Sequence, residues 1–283
     1  MNITGKTKVV GLMGYPVSHT ISPAIHNSAF SALGLDWVYL PFEVKPEHLK
    51  RAIFGLKPLG IAGVNITIPH KVQALAYMDG LSEEAELIGA INTVVVKEDG
   101  LFGDNTDGKG FIRSLKEAGF SLKEKRVALI GAGGGGRAIS ISLAREGAEA
   151  IYISDADKEK RESLIGYIKN RFDILVSEMA DPSIIKDVDL LVNATPCGMK
   201  ENDPLPIDSR FIHPDLLVYD LIYNPQKTRL LEEAERKGAK TLSGLAMLVY
   251  QAALSFSAWT GIMPPVQVMM DAAKSELETT KKF

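Results

Sequence analysis

Apolar positions along the chain follow two patterns, short unbroken runs and stretches spaced at helical intervals. An unbroken run predicts a strand covered on both faces. Apolar residues recurring every three or four positions predict a helix with one packed stripe. In the N-terminal half, Lys8–Met13, Trp37–Glu43 and Ile61–Ile68 read as strands. Ser22-Pro23 opens a helix that carries Ile25, Ala29, Ala32 and Leu33 on one side, and Pro46–Leu56 reads as a second helix. Another apolar run spans Ala90–Val96. Glu98-Asp99-Gly100 then signals a hairpin turn, and Leu101–Gly103 returns. The polar stretch Gly103–Gly108 leads into a helix expected over Phe111–Ala118.

The C-terminal half is more regular. Strands are predicted at Val127–Ile130, Ala150–Ile153, Asp173–Val176, Asp189–Val192, Leu217–Asp220 and Lys240–Leu242. Helices fall at Arg137–Glu146, Lys158–Lys169 and Thr228–Lys237. Strand and helix in alternation predict an α/β fold with a doubly wound parallel sheet. A glycine-led, largely apolar helix follows Gly244 and carries the amide of Gln251. A last helix over Val266–Leu277 is expected to pack back on the first half.

Composition narrows the partners. The 283 residues are 46% hydrophobic and 24% charged, as in ordinary globular proteins with room for two domains. A formal net charge of −3 without a basic block argues against nucleic acid or an anionic membrane as partner. The N-terminal stretch lacks the apolar core of a signal peptide, and no apolar run reaches the ~20 residues of a membrane helix. One cysteine, Cys197, excludes an internal disulfide and fits a reducing cytoplasm. It reads as a small filler, since no base stands near it in sequence. Scattered histidines give no support to a metal site.

Candidate chemistry gathers at a few places. Gly131, Gly133 and Gly136 stand in G-x-G-x-x-G spacing between the strand at Val127 and the following helix, within Gly131-Ala132-Gly133-Gly134-Gly135-Gly136. Gly131 suits a tight turn and Gly133 a close approach to a pyrophosphate. Gly136 suits close helix–strand packing, and the helix N-terminus offers free N–H groups. Asp155, at the end of the next strand, sits where a carboxylate accepts hydrogen bonds from an adenosine ribose. Strand, glycines, helix, strand and acid in that order predict dinucleotide binding.

Three features of the first half read two ways each. Ser22 is an N-cap for the helix that Pro23 begins, or with Thr20 it offers hydroxyls to a small anion. Lys71, after Pro69, is a surface lysine or lines a pocket with Thr67 at a sheet edge; Asn65 and Thr67 share one face of their strand. Asp107 ends a turn-forming loop, or is a buried carboxylate beside Lys71.

Taken together the signals resemble the shikimate dehydrogenase family, and within it the quinate/shikimate branch. The resemblance rests on eight ordered motifs. They are Gly14-x-Pro16 with His19-x-x-Ser22-Pro23-x-x-His26-Asn27, Asn65-x-Thr67-x-Pro69-x-Lys71, Gly89-Ala90-x-Asn92-Thr93 and Gly103-x-Asn105-Thr106-Asp107. Gly131-Ala132-Gly133-Gly134, Asn193-Ala194-Thr195-x-x-Gly198-Met199, Tyr223-Asn224-Pro225 and Gly244-x-x-Met247-Leu248-x-x-Gln251 complete the set.

The resemblance implies a substrate-binding and catalytic domain over 1–108 and a Rossmann domain over 109–244, with a cleft between them. Helices over 245–283 would return to the first domain. It also implies reversible hydride transfer at C3 of shikimate or quinate. Lys71 and Asp107 match the catalytic pair; Thr20, Ser22, Thr67, Asn92, Tyr223 and Gln251 match substrate-binding positions. Ala194, Thr195 and Gly244 match positions near the nicotinamide, and Ser22 then serves as cap and carboxylate ligand at once.

Two departures bear on specificity. Thr20 replaces the family's common serine, which alters pocket shape and leaves open another small hydroxylated ring carboxylate, such as an amino-quinate analogue. Asp155-Ala156-Asp157 replaces the Asn-Arg-Thr run of NADP-using members. Like charges 4 Å apart cost about 4 kcal/mol at an effective dielectric of ~20, so two carboxylates disfavour the 2′-phosphate of NADP. Lys158 and Lys160 soften that repulsion, so NAD is favoured and NADP stays open. A homodimer is compatible with this reading, and a catalytically silent, dinucleotide-responsive regulator is the rival.

Overall fold

The computed structural model describes residues 3–280. Its chain divides into two compact α/β units: one runs to Gly110 and resumes at Val249, and the other is Phe111–Leu248. The first four residues of the glycine-led helix, Leu245–Leu248, therefore group with the second unit and not with the first.

The first unit is built from β1 (Lys8–Gly14), α1 (Ser22–Ala32), β2 (Trp37–Glu43), α2 (Leu49–Gly55), β3 (Ile61–Ile66), β4 (Gly80–Leu81), α3 (Glu83–Ile88), β5 (Thr93–Lys97) and β6 (Gly100–Asp104). Its six strands are ordered β2-β1-β3-β5-β6-β4. β1 lies parallel to both β2 and β3, whereas β5 is antiparallel to β3 and pairs with β6 through the expected hairpin. Leu49, Ile53, Leu56, Val64 and Ile91 are fully buried in the core of this unit. At roughly 2 kcal/mol for each such side chain taken from water, the core is the main stabilising term here.

An aromatic layer ties α1 and β2 to α8 (Leu245–Thr260), whose residues from Val249 onward belong to this unit. Phe30 stacks on Phe256 at 4.7 Å and His26 on Tyr39 at 4.2 Å. The imidazole of His26 is fully buried with both nitrogens unpartnered, and desolvation lowers its pKa to about 3. Trp259 donates its indole N–H to the carbonyl of Val94 at 3.0 Å. α9 (Val266–Thr280) packs on α1.

α4 (Asp107–Glu117) carries the chain into the second unit. There β7 (Arg126–Ile130), α5 (Gly134–Arg145), β8 (Ala150–Ser154), α6 (Lys158–Lys169) and β9 (Leu175–Glu178) make the first half of the sheet. β10 (Leu190–Asn193), β11 (Leu217–Asp220), α7 (Arg229–Arg236) and β12 (Lys240–Ser243) make the second. All pairings are parallel, in the order β12-β11-β10-β7-β8-β9. Counted from β7, this is the 3-2-1-4-5-6 arrangement of dinucleotide-binding folds. β7, β10 and β11 are buried on both faces, as their unbroken apolar runs require.

Several boundaries differ from expectation. α4 begins at Asp107, four residues before Phe111, although Gly108 and Gly110 lie in its first turn. α5 begins at Gly134, inside the glycine run. β3 stops at Ile66, so Thr67 lies beyond the strand whose face it was expected to share. β9 lies two residues later than predicted. Pro46–Leu56 splits into a single-turn 3₁₀ segment followed by α2.

Candidate active site

In the first unit the polar side chains collect where β3 and β6 end. Lys71 follows the break at Pro69, and its carbonyl accepts from the N–H of Ile91, which sets it beside Asn92. Its ammonium meets Asp107 Oδ2 at 2.5 Å. The lysine side chain is 18% exposed and the aspartate 6%, so the pair is largely sheltered yet reachable through the ammonium. An ammonium has three donors, and this contact uses one.

Asn92 is the centre of the group. Its amide nitrogen lies 2.8 Å from Asp107 Oδ1, 2.8 Å from Thr106 Oγ1 and 3.1 Å from Gln251 Oε1. Its carbonyl accepts from Thr93 Oγ1 and from the N–H of Thr106. Behind it, the Asn65 amide shares its hydrogens among the backbone carbonyl of Asn92, Thr93 and Ser255, and its oxygen accepts from the Tyr39 hydroxyl at 2.9 Å. Asp107 also gives its own N–H to Asn105. As the first residue of α4, it stands where a helix N-terminus favours negative charge. Lys71, Asp107, Asn92 and Gln251 are thus brought together; Thr106, which lies in the Gly103–Asp107 motif, and Ser255, which no local pattern marked, join them.

Thr20 and Ser22 form a second group in this unit. The N-cap position of α1 is Ile21, and no side chain caps the helix. The reading of Ser22 as a cap is therefore corrected. Thr20 accepts from the N–H of Ser22 at 3.2 Å and donates to its hydroxyl at 3.2 Å, so the threonine makes the turn and Ser22 keeps its own hydrogen for another partner. Thr67 is half-buried; its N–H and carbonyl hold the backbone of Met13 and His70. Among the described residues, no hydrogen bond joins Thr67 to Lys71.

In the second unit the glycine run makes the turn that its spacing predicts. Gly131 has φ +105°, which a side chain disfavours, and a Cβ at Gly136 would collide with the Gly131 carbonyl. Gly133 is exposed and caps α5 without a side-chain acceptor, so the first-turn N–H groups point out for an anion. This donor set, with open space at Gly133, fits the pyrophosphate of a dinucleotide. Asp155 closes the loop from behind: it accepts from Ala132 N–H at 2.6 Å and Asp157 N–H at 2.7 Å. Its carboxylate keeps lone pairs for a ribose hydroxyl.

Asp157 caps α6 and pairs with Lys160 at 2.8 Å, while Lys158 lies 3.6 Å from Glu162. Lys160 and its hydrogen bonds hold the Asp157 carboxyl below its usual range. The carbonyl of Asp155 accepts from Arg161, whose guanidinium pairs with Glu178 at 2.8 Å.

The ends of β10 and β11 meet the glycine loop, and the end of β12 packs on that of β11. Ala194 and Thr195 lie against Gly131, and a Cβ at Gly244 would strike the Leu221 carbonyl. Tyr223 follows β11, half-buried, with desolvation raising its phenol above the usual value. Beneath these sits a buried carboxylate that the sequence reading passed over. Asp220 accepts from Asn193 at 3.0 Å, Ile222 N–H at 3.1 Å and Thr228 at 2.6 Å. No cation contributes, and burial pushes its pKa up to about 6. Its one sequence signal was an acid ending an apolar strand.

Comparison with known proteins fits this geometry. Over residues 12–94 the chain matches the model of the shikimate dehydrogenase substrate binding domain, and over 244–274 that of the shikimate 5′-dehydrogenase C-terminal domain. It is 46% identical to the shikimate dehydrogenase (NADP(+)) of Methanopyrus kandleri, covering 98% of each chain. The chain belongs to the shikimate dehydrogenase family. Members are oxidoreductases with an NAD(P)-binding Rossmann unit, and that describes this chain too. Among solved members, a shikimate dehydrogenase in complex with NADP+ superposes with a TM-score of 0.90 at 40% identity, covering 98% of each chain. The quinate dehydrogenase of Corynebacterium glutamicum in complex with NAD gives 0.87 at 32% identity, covering 95% of this chain and 99% of its own. Among the described residues, no helix is long and apolar enough to cross a membrane, and no three metal-ligating side chains converge.

Proposed function

We propose that the protein catalyses reversible, NAD(P)-dependent oxidation of the C3 hydroxyl of shikimate, quinate or both, and that NAD is its preferred cofactor. The observation that carries the chemistry is the sheltered Lys71–Asp107 pair, held by Asn92. A bound nicotinamide supplies or accepts the hydride. What remains for the chain is the hydroxyl proton, which must leave as the ketone forms and return in the reverse direction. In the reduction direction the Lys71 ammonium gives a proton to the carbonyl oxygen and in the oxidation direction the lysine amine takes it from the hydroxyl, while Asp107 fixes the lysine and accepts a hydrogen bond from the hydroxyl. Gln251 and Asn92 orient the ring hydroxyls. Ser22, at the start of α1 and with its hydrogen uncommitted, takes the substrate carboxylate together with Thr20. Thr67 and Tyr223 complete the substrate set.

The cofactor preference rests on β8 and the turn after it. Asp155 is held by two backbone N–H groups at the position for ribose recognition, Asp157 follows, and no arginine stands between them. The nearby lysines are engaged with Asp157 and Glu162. Relatives are known with either dinucleotide, so these local carboxylates favour NAD for this chain.

Initial rates with shikimate and quinate, each against NAD and NADP, test the reading directly. Turnover with NAD is expected, and a clear preference for NADP would overturn the role given to Asp155. Lys71→Ala is expected to lower kcat by about 10²–10⁴-fold with a much smaller change in KM. Unchanged turnover in that variant would remove Lys71 from the chemistry.

A further inference from the structure

Asp220 has a place that the proposed chemistry does not use. It is wholly buried at the end of β11, and its hydrogen bonds reach the end of β10, its own following turn and the N-cap of α7. Through Oδ1 it holds Asn193, the last residue of β10. Asn193 spends the rest of its side-chain hydrogen-bonding capacity on its own loop: it donates to the Cys197 carbonyl at 3.1 Å and accepts from Thr195 N–H at 3.1 Å and Thr195 Oγ1 at 2.7 Å. Through Oδ2 Asp220 holds Thr228, the N-cap of α7. It also accepts from the N–H of Ile222, and the Ile222 carbonyl accepts from Gly244 N–H at 3.1 Å. The N–H of Leu221 donates to the Asn193 carbonyl at 3.0 Å.

We propose that Asp220 is a positioning residue for the reaction: through Asn193, Ile222 and Thr228 it locks residues 193–198 and 220–228 into one body. That body presents Ala194 and Thr195 to the nicotinamide and Tyr223 to the substrate. The proposal rests on the roles given to those three residues above, and it adds the part that holds them in register. The physical reason is the geometry of hydrogen bonding. Each loop alone contains turn residues with few apolar anchors, and a single carboxylate with three donors couples them at a fixed spacing. A shift of about 1 Å at reacting groups costs on the order of 10²-fold in rate, so coupling the loops is worth a buried carboxylate.

The test compares Asp220→Ala, Asp220→Asn and Ile185→Ala. Ile185 is fully buried in the apolar core of the same unit and takes no part in these hydrogen bonds, and its truncation controls for lost stability alone. Asp220→Ala is expected to lower kcat about tenfold or more and to raise the substrate KM, with Asp220→Asn recovering to within about threefold of wild type because its amide keeps the contacts. Ile185→Ala should lose melting temperature but keep kcat. Equal kcat loss in Ile185→Ala, or wild-type kinetics in Asp220→Ala, would overturn the proposal.

Should Asp220→Ala not fold, Thr228→Val and Thr228→Ser take its place. The valine is expected to lower kcat several-fold and the serine to restore it, and wild-type kinetics in Thr228→Val would again overturn the coupling. Amide hydrogen exchange gives a readout that needs no substrate. Exchange in 194–199 and 221–223 should rise together in Asp220→Ala and not in Ile185→Ala; a rise in one segment alone would sink the proposal. If wild-type protein turns over neither shikimate nor quinate, the functional reading fails while this exchange result still judges the coupling.

Discussion

The two units each centre a polar group on an asparagine, an aspartate and a threonine, and put them to different uses. In the first, Asn92 binds Asp107 and Thr106; in the second, Asn193 binds Asp220 and Thr195. Both aspartates are buried. What separates them is a cation and an opening. Asp107 faces Lys71, whose side chain is 18% exposed, so the charge is balanced and a ligand can reach the pair. Asp220 meets only neutral donors, and burial raises its carboxyl to about 6. The same donor and acceptor types thus build a proton-handling site where a lysine is added, and a brace between loops where it is not.

Making one substitution at both aspartates gives the sharpest contrast. Asp107→Asn turns an acceptor toward Lys71 into an amide and leaves the ammonium without its counter-charge. We expect a loss of about 10²–10⁴-fold in kcat, comparable to removing a general acid–base group. Asp220→Asn, by comparison, should stay near wild type. Initial-rate kinetics at saturating cofactor decide the point, and equal losses in the two variants would erase the distinction between site and brace.

This contrast also marks how far the sequence could be read. β2, α6 and β11 match their predicted spans, because apolar runs and caps are local signals. The parallel sheet of the second unit follows from the alternation alone. Lys71 and Asp107 stood out through flanking motifs, 36 residues apart and joined only by the fold. Asp220 did not stand out: its partners Asn193 and Thr228 lie 27 and 8 residues away, and nothing local announces that the carboxylate turns inward. The start of α4 was misplaced for a similar reason. Gly108 and Gly110 disfavour a first turn, but the Asn105 and Asn92 contacts of Asp107 impose it. Ser22 had the residue type of a cap, yet Thr20 took the local hydrogen bond first.

The buried titratable groups extend the comparison to pH. His26 is neutral and fully buried among aromatic rings in the first unit, with its pKa lowered from 6.5 to about 3. The unfolded chain takes up a proton near pH 6.5 that the native state refuses until about pH 3. His26 therefore contributes stability that is fully present above pH 6.5 and is lost as pH falls toward 3. From pH 8 to pH 5 the loss amounts to about 2 kcal/mol. Urea unfolding of wild type and His26→Leu at these two pH values measures it. The variant should lose less than wild type between pH 8 and pH 5, whatever its absolute stability at pH 8. Parallel pH dependence in both proteins would show that His26 is not the group responsible.

Asp220 works in the opposite direction and with a smaller effect. Its pKa is raised from 3.8 to about 6, so the native state holds a proton that the unfolded chain releases near pH 3.8. This contribution is fully present below pH 3.8 and disappears as pH rises through 6. Between pH 5 and pH 7 it withdraws roughly 1 kcal/mol, partly cancelling what His26 gains over the same interval. Removing the titration in Asp220→Asn should therefore steepen the rise of stability from pH 5 to pH 7 by that amount, whatever the variant's absolute stability. A rise unchanged from wild type would mean that the carboxylate is ionised throughout, held so by the three donors of Asn193, Ile222 and Thr228. In that case the brace would be a permanent buried charge, and what distinguishes it from Asp107 would be the absence of a ligand-facing cation and not its protonation.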